Sequence, residues 1–289
     1  MKLRPDRAKK PPPPVIRLPP CFHLDLPRPS SSDGYWLSER WNSLICNIKQ
    51  WQGEAEEIVS CLRGKHIYAL GGSTLRQWVT ALYTMMGLEI EPQPHEKFYI
   101  DRYITAYDIN VTFRFHPQVV SGYPVHVNDV EYETDVLDNI TNTSCNHVVI
   151  IGPWSHFNQW PRESYIERLL LLRQAVERYR LKCPHVPIVI KGPHPREHVG
   201  IESVIYSSDY ILREMGVLMR DIFAGSGAWF LDVWEMNLSY PTENTIHMPW
   251  EVVEQELNMF LSYVCRYKPH RSYDNTKSSR LNLRTLIKG

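Results

Sequence analysis

Four short apolar runs, each ended by glycine or a polar loop residue and separated by stretches of helical periodicity, limit this chain to few architectures. Ile67-Tyr68-Ala69-Leu70 ends at Gly71-Gly72, and Val148-Val149-Ile150-Ile151 ends at Gly152. Ile188-Val189-Ile190 runs to Gly192, and Trp229-Phe230-Leu231 closes at Asp232. Between and after them lie helical patterns. Residues 74–86 place Leu75, Trp78, Val79, Leu82 and Met86 at three- and four-residue spacings. Residues 163–179 do the same with Leu169, Leu172, Val176 and Tyr179, and 250–265 with Val253, Leu257, Phe260, Leu261 and Val264. Residues 210–223 read as a further helix. Residues 109–115 alternate Ile109, Val111, Phe113 and Phe115 with polar positions, the signature of a half-exposed strand. Buried strands joined through helices predict an α/β fold with a mostly parallel sheet covered on both faces. Ligands on such sheets bind beyond the carboxyl ends of the strands. The loops there carry Ser73, His156, His194, Asp232 and, further on, His247.

The 289 residues divide into three segments. Residues 1–33 contain the run Pro11-Pro12-Pro13-Pro14 and the triplet Ser30-Ser31-Ser32, a basic, proline-rich tail or linker expected to be disordered. Residues 34–265 form the predicted domain, and 266–289 a basic tail. Residues 1–17 carry net +5 and 266–289 net +6; the whole chain is neutral, so 18–265 carries −11. An acidic body argues against phosphate-backbone recognition, so no nucleic-acid partner is expected. No run approaches the roughly 18–20 apolar residues of a spanning helix, so no transmembrane segment is expected.

Cys21, Cys46, Cys61, Cys145, Cys183 and Cys265 form no CxxC pair, which argues against zinc, and no metal is expected. Six cysteines permit three disulfides or six free thiols. Four Asn-X-Ser/Thr triplets, at Asn110, Asn139, Asn142 and Asn237, are candidate glycosylation sites and favour the secretory lumen. The stretch from Met1 to Pro14 has a basic start but no apolar core of a signal peptide. The expectation is therefore a secreted or Golgi-lumen protein whose targeting segment lies upstream of this chain. A cytosolic hydrolase with free thiols is the competing reading.

Gly71-Gly72-Ser73-Thr74 joins a predicted strand to a predicted helix. Two glycines permit a tight turn with positive φ. Ser73 then sits at a helix N-terminus, where free N–H groups and the helix dipole favour an oxyanion. A plain N-cap is the commoner role for such a serine. A phosphate loop is excluded, since neither GxxxxGK[ST] nor GxGxxG occurs. A nucleophilic serine needs a base, and His247, just before the last helix, is the candidate. Three residues before it stands Asn244, with Glu243 and Asp232 as nearby carboxylates.

Three blocks together resemble the neurexophilin and PC-esterase domain (NXPE) family, within the wider SGNH/GDSL hydrolases and acyltransferases. The first is Leu62-Arg63-Gly64-Lys65-His66-Ile67-Tyr68-Ala69-Leu70-Gly71-Gly72-Ser73-Thr74-Leu75-Arg76-Gln77-Trp78. The second is Val149-Ile150-Ile151-Gly152-Pro153-Trp154-Ser155-His156-Phe157. The third runs from Leu231-Asp232-Val233-Trp234 to Ile246-His247-Met248-Pro249 and on to Cys265. The resemblance implies an SGNH/GDSL-like three-layer α/β/α fold, flavodoxin-like with a mostly parallel sheet, with Ser73 as nucleophile and His247 as base. It places Gly72 and Gly152 in the oxyanion pocket and His156 where many relatives carry Asn. It also implies a glycan or glycoprotein substrate and no bound cofactor, with an acetyl donor such as acetyl-CoA as co-substrate.

Two departures stand out. Gly72 replaces the Asp of Gly-Asp-Ser, and Asn244 replaces the Asp of Asp-x-x-His. In serine proteases an Asp-to-Asn exchange at this role lowers kcat by about 10⁴. Asp232 or Glu243 could substitute, a Ser–His dyad could suffice, or the domain could be a catalytically inactive binding protein. Arg76, one turn after Ser73, could meet a substrate carboxylate or form a salt bridge inside the fold. Trp154 and Trp160 could stack on a sugar, although core packing is the more ordinary use of tryptophan.

Overall fold

A computed structural model of the chain describes residues 18–267 apart from 24–25, 92–93, 118–125, 127, 129, 142, 199 and 243–244. An antiparallel hairpin comes first, β1 (Gly34–Leu37) with β2 (Arg40–Ser43). Then follow α1 (Ala55–Leu62), β3 (His66–Gly71), α2 (Ser73–Met85), β4 (Tyr99–Ile104) and β5 (Ile109–Phe115). The middle holds α3 (Glu133–Asn139), β6 (His147–Gly152), α4 (Arg162–Lys182), β7 (Ile188–Lys191) and α5 (Gly200–Tyr206). The chain continues through α6 (Asp209–Phe223), β8 (Trp229–Leu231), α7 (Trp234–Leu238) and α8 (Trp250–Val264).

Six strands form one sheet in the order β4-β5-β3-β6-β7-β8. Every neighbouring pair is parallel except β4 with β5, at the edge. Within the parallel part the first strand in sequence, β3, lies between the second, β5, and the third, β6. The winding direction therefore reverses at the β3–β6 boundary, and this is where α/β sheets open a crevice.

Side-chain alternation along the buried strands feeds two cores, one on each face. Ile67, Ala69, Val148 and Ile150 pack with Leu75, Trp78 and Leu82 of α2 and Val253, Leu257 and Phe260 of α8. Val149, Ile151, Ile188 and Ile190 pack with Leu169, Leu172 and Val176 of α4 and Leu212 and Met219 of α6. The four long helices expected from periodicity are present within one to three residues of their predicted ends. β5 is more buried than a half-exposed strand, because its polar Thr112 turns into a hydrogen-bonded cluster with His66 and Asp101.

Helix α8 is buried on nearly every side, and Gln255, Glu256, Asn258 and Ser262 along it are all hydrogen-bonded to other parts of the domain. Gln255 and Asn258 accept the backbone N–H groups of Trp41 and Trp51 at 3.1 and 2.9 Å. Glu256 accepts Trp78 Nε1–H at 2.5 Å and Asn237 Nδ2–H at 2.8 Å, and lies 3.4 Å from Lys191 Nζ. These bonds tie α2, α7, β7 and α8 together beneath the sheet's carboxyl edge.

All six cysteines are paired: Cys21 with Cys46, Cys61 with Cys265, and Cys145 with Cys183. Cys61, near the end of α1, and Cys265, just after α8, join points 204 positions apart. Upstream of the Gly34 boundary expected from sequence, Cys21 is buried and bonded to the body of the domain. Among the described residues no helix is long and apolar enough to cross a membrane.

Of the glycosylation candidates, Asn139 is exposed at the end of α3 and Asn110 is half-buried within β5. Asn142 lies outside the described residues. Asn237 is not a surface acceptor: it is fully buried, with its amide nitrogen donating to the Val233 carbonyl and to Glu256.

Candidate active site

The reversal point of the sheet is lined by glycine. Gly71 pairs in register with Gly152 across β3 and β6. A Cβ on Gly71 would lie 2.9 Å from the Gly152 carbonyl oxygen, too close for any side chain. Neither Gly71 nor Gly72 adopts positive φ, contrary to the expectation for this turn; Gly72 is extended at φ −89°, ψ −165°. The glycines are required by space. A Cβ on Gly72 would meet His156 Cε1 at 2.9 Å, His156 Nδ1 at 3.0 Å and His116 Nε2 at 3.3 Å. Imidazole therefore fills the volume into which the Asp of a Gly-Asp-Ser turn would project.

Ser73 opens α2, whose first bonds run from the N–H groups of Leu75 and Arg76 to the Gly72 carbonyl. The Ser73 and Thr74 N–H groups lie in the first helical turn and have no intrahelical acceptor. Ser73 Oγ is 2.8 Å from His247 Nε2, across 174 positions of sequence.

Three bonds around the 245–249 loop and its junction hold that ring in place. Gln77 Nε2, one turn along α2 from Ser73, donates to the Met248 carbonyl at 2.6 Å. Thr245 Oγ1 donates to the His247 carbonyl at 2.5 Å. The Val252 N–H bonds the Pro249 carbonyl at 3.1 Å, starting α8 where the loop ends. Met248, next to His247, is buried in the core, which anchors the loop. Removal from water, then the positive charge of Arg76 and of Arg196, lowers the His247 pKa from 6.5, with Glu197 opposing.

The other expected site residues divide. Gly152 pairs with Gly71, and the His156 ring lies against Gly72, the residue before Ser73. His194 is buried, its Nδ1 2.9 Å from the Pro195 carbonyl, and burial holds it neutral. Arg76 donates Nη1–H to the Lys97 carbonyl at 2.6 Å, a backbone bond rather than the salt bridge inside the fold that was its ordinary reading. Asp232 is turned away from the imidazole. Its Oδ2 lies 3.5 Å from Arg213 and 3.3 Å from Arg220, and its Oδ1 accepts the Trp234 N–H at 3.1 Å. Asn244 and Glu243 lie outside the described residues. Trp154 is buried edge-on to His194, so it belongs to the core; Trp160 is half-exposed.

Sequence reasoning missed Arg196, Glu197, His116 and Glu133. His116 carried a usable signal: it follows β5 immediately, at the carboxyl edge where the other loops converge. Among the described residues, no group of three or more His, Cys, Asp or Glu side chains is arranged to hold a metal ion.

Helices on both faces of a mostly parallel sheet make this a three-layer α/β/α fold, with a serine at the mouth of its first β–α crossover. Solved structures similar to the chain include the lipase/acylhydrolase from Enterococcus faecalis, at 12% identity and TM-score 0.42, covering 72% of this chain and 99% of that one. A GDSL-like lipase from Parabacteroides merdae ATCC 43184 matches at 12% identity and TM-score 0.41, covering 70% and 97%. Phospholipase A1 from Streptomyces albidoflavus NA297 matches at 12% and 0.36, covering 70% and 99%. Residues 41–265 match the family model of the NXPE family member 4-like C-terminal domain. The chain belongs to the NXPE family.

Proposed function

We propose that this domain transfers or hydrolyses acyl groups through an acetyl-serine intermediate on Ser73. The observation that carries this reading is the 2.8 Å contact between Ser73 Oγ and His247 Nε2. His247 Nε2 takes the Ser73 proton as Oγ bonds to the ester carbonyl carbon. The tetrahedral oxyanion is received by the N–H groups of Ser73 and Gly152. Its collapse breaks the bond to the leaving group, which recovers the proton from His247. A hydroxyl or water then attacks the acetyl-serine and gives its proton to His247; as the bond from the acyl carbon to Ser73 Oγ breaks, Oγ takes that proton back from His247.

The substrate we assign is a glycan, with an acetyl donor such as acetyl-CoA as co-substrate and no bound cofactor. Three disulfides fit an oxidising compartment, so we place the protein in the secretory lumen or outside the cell, with Asn139 as the exposed glycosylation candidate. One observation favours a second reading, a binding module on the same scaffold: among the described residues no carboxylate hydrogen-bonds His247.

A serine-directed fluorophosphonate separates the two. The acyl-transfer reading expects labelling of the native chain and its loss in Ser73→Ala. Labelling that persists in the variant removes Ser73 from the mechanism, and no labelling of either chain favours the binding module.

The His247 environment adds a pH prediction. The imidazole is a base only when neutral, and its pKa lies below 6.5. Activity on an acetyl ester is expected to be flat through neutral pH and to fall only as pH drops through that lowered value. Arg76→Gln removes one of the charges that lower it. The acid limb of kcat/KM should therefore move to higher pH in the variant; an unmoved limb would show that another group controls it.

A further inference from the structure

Behind Ser73 and His247 lies a second string of ionisable groups that the acyl-transfer steps leave unused. Arg168 Nη2 of α4 donates to Glu133 Oε2 at 2.6 Å. Glu133, the first residue of α3, places Oε1 3.5 Å from Nδ1 of His116. His116 Nε2 is 2.8 Å from His156 Nδ1. The side chains of His116, Glu133 and Arg168 are 0%, 4% and 9% exposed. The string ends over Gly72, directly before the nucleophile.

Protons along this string can be placed. Burial alone would raise the Glu133 carboxyl, but His116 and Arg168 override it and hold it below the usual range. Burial keeps His116 below 6.5 and pushes His156 down to about 3, so both rings are neutral at physiological pH. His116 Nδ1 and Glu133 Oε1 are both buried, and neither makes a hydrogen bond among the described residues; their own 3.5 Å contact is the polar approach between them. The carboxylate can only accept, so its charge 3.5 Å away favours the His116 proton on Nδ1. His116 Nε2 is then an acceptor and takes the Nδ1–H of His156. A neutral His156 with its proton on Nδ1 carries none on Nε2.

We infer that Glu133 and His116 are positioning residues that fix His156 in the Nδ1–H form, so that His156 Nε2 accepts a hydrogen bond from a second hydroxyl of the acyl acceptor while the attacking hydroxyl gives its proton to His247. The inference rests on the acyl-transfer reading and narrows it to acceptors with neighbouring hydroxyls. It also reassigns His156. An acceptor nitrogen cannot stabilise an oxyanion, so His156 does not stand in for an oxyanion-hole asparagine.

Two measurements test this, and they fail separately. Long-range ¹H–¹⁵N spectra of histidine-labelled protein report which nitrogen carries each proton, with His156 assigned through His156→Gln. The wild type should show His156 protonated on Nδ1 at pH 6–8, and His116→Leu should return it to the Nε2–H form. An Nε2–H form in the wild type overturns the inference. Glu133→Gln, which keeps the shape and removes the charge, is the second variant should His116→Leu not fold.

In the functional arm, p-nitrophenyl acetate is the donor, and ethylene glycol competes with ethanol as acceptor. The wild type should favour the diol by about tenfold, the scale of one hydrogen bond. His116→Leu should fall to near parity while p-nitrophenol release changes less than about threefold. Equal partition in the wild type overturns the acceptor assignment. No p-nitrophenol release from any form overturns the acyl-transfer reading instead, and the tautomer spectrum then decides the positioning of His156 alone.

Discussion

Replacing Ser73 with alanine should lower turnover of an acetyl ester by roughly 10⁴ to 10⁶-fold while leaving the fold intact. The expected loss is chemical because Ser73 does little structural work. It opens α2, but its side chain caps nothing, since the helix is started by the Gly72 carbonyl. Its recorded side-chain partner is His247. The melting temperature of Ser73→Ala should therefore match the wild type within a few degrees, as for a surface change with no packing role. His247→Ala should lose about as much activity, and the double variant no more than either single one, because the two groups act as a unit. Additive losses would mean that Ser73 and His247 serve different steps.

The second large effect concerns stability. Cys61–Cys265 closes 204 positions, much the longest of the three loops, and joins the end of α1 to the end of α8. Loop-closure entropy makes such a link worth about 3–5 kcal/mol. For a domain of this size that corresponds to roughly 8–15 °C in melting temperature. The paired variant Cys61→Ser with Cys265→Ser should melt lower by that margin in calorimetry. Cys145→Ser with Cys183→Ser, closing only 38 positions, should lose less. Equal losses would show that strain or local packing outweighs loop length. α8 carries Glu256, Gln255 and Asn258, whose bonds reach the hairpin, α2 and α7. Its loosening should therefore also disturb the start of α2, where Ser73 sits.

Much of the sheet was legible in sequence because buried parallel strands read as unbroken apolar runs. Ile67–Leu70, Val148–Ile151 and Ile188–Ile190 have no other reading at that length. β4 was not legible. Its Tyr99-Ile100-Asp101-Arg102-Tyr103-Ile104 places charges on an edge strand, and Asp101 gains its role only from Thr112 and Arg114 on β5. The β1–β2 hairpin was hidden for a related reason. Its turn uses Ser38 and Glu39 at φ 51° and 59°, where sequence would lead one to expect Asn or Gly. It is held in place by Trp36, whose Nε1 donates to the Met236 carbonyl at 2.8 Å.

The site divides in the same way. Ser73, Gly152, His156 and His247 follow from one rule, that loops at the carboxyl ends of strands converge. Glu133 and Glu197 obey no local pattern, since each matters only through a partner brought in by tertiary folding. Asp232 shows the converse. It stands in the right loop, yet α6 presents Arg213 and Arg220 to it. Asn237 fails as a glycosylation site because three letters of sequence cannot register that α7 buries the amide against α8.

The most direct measurement is peptide mass mapping after rapid acid quench of the protein mixed with p-nitrophenyl acetate. The account predicts the mass of one acetyl group on the peptide that contains Ser73, and none on that peptide in His247→Ala. Acetyl found only on other side chains, or Ser73 acetylated equally without the His247 imidazole, would contradict it.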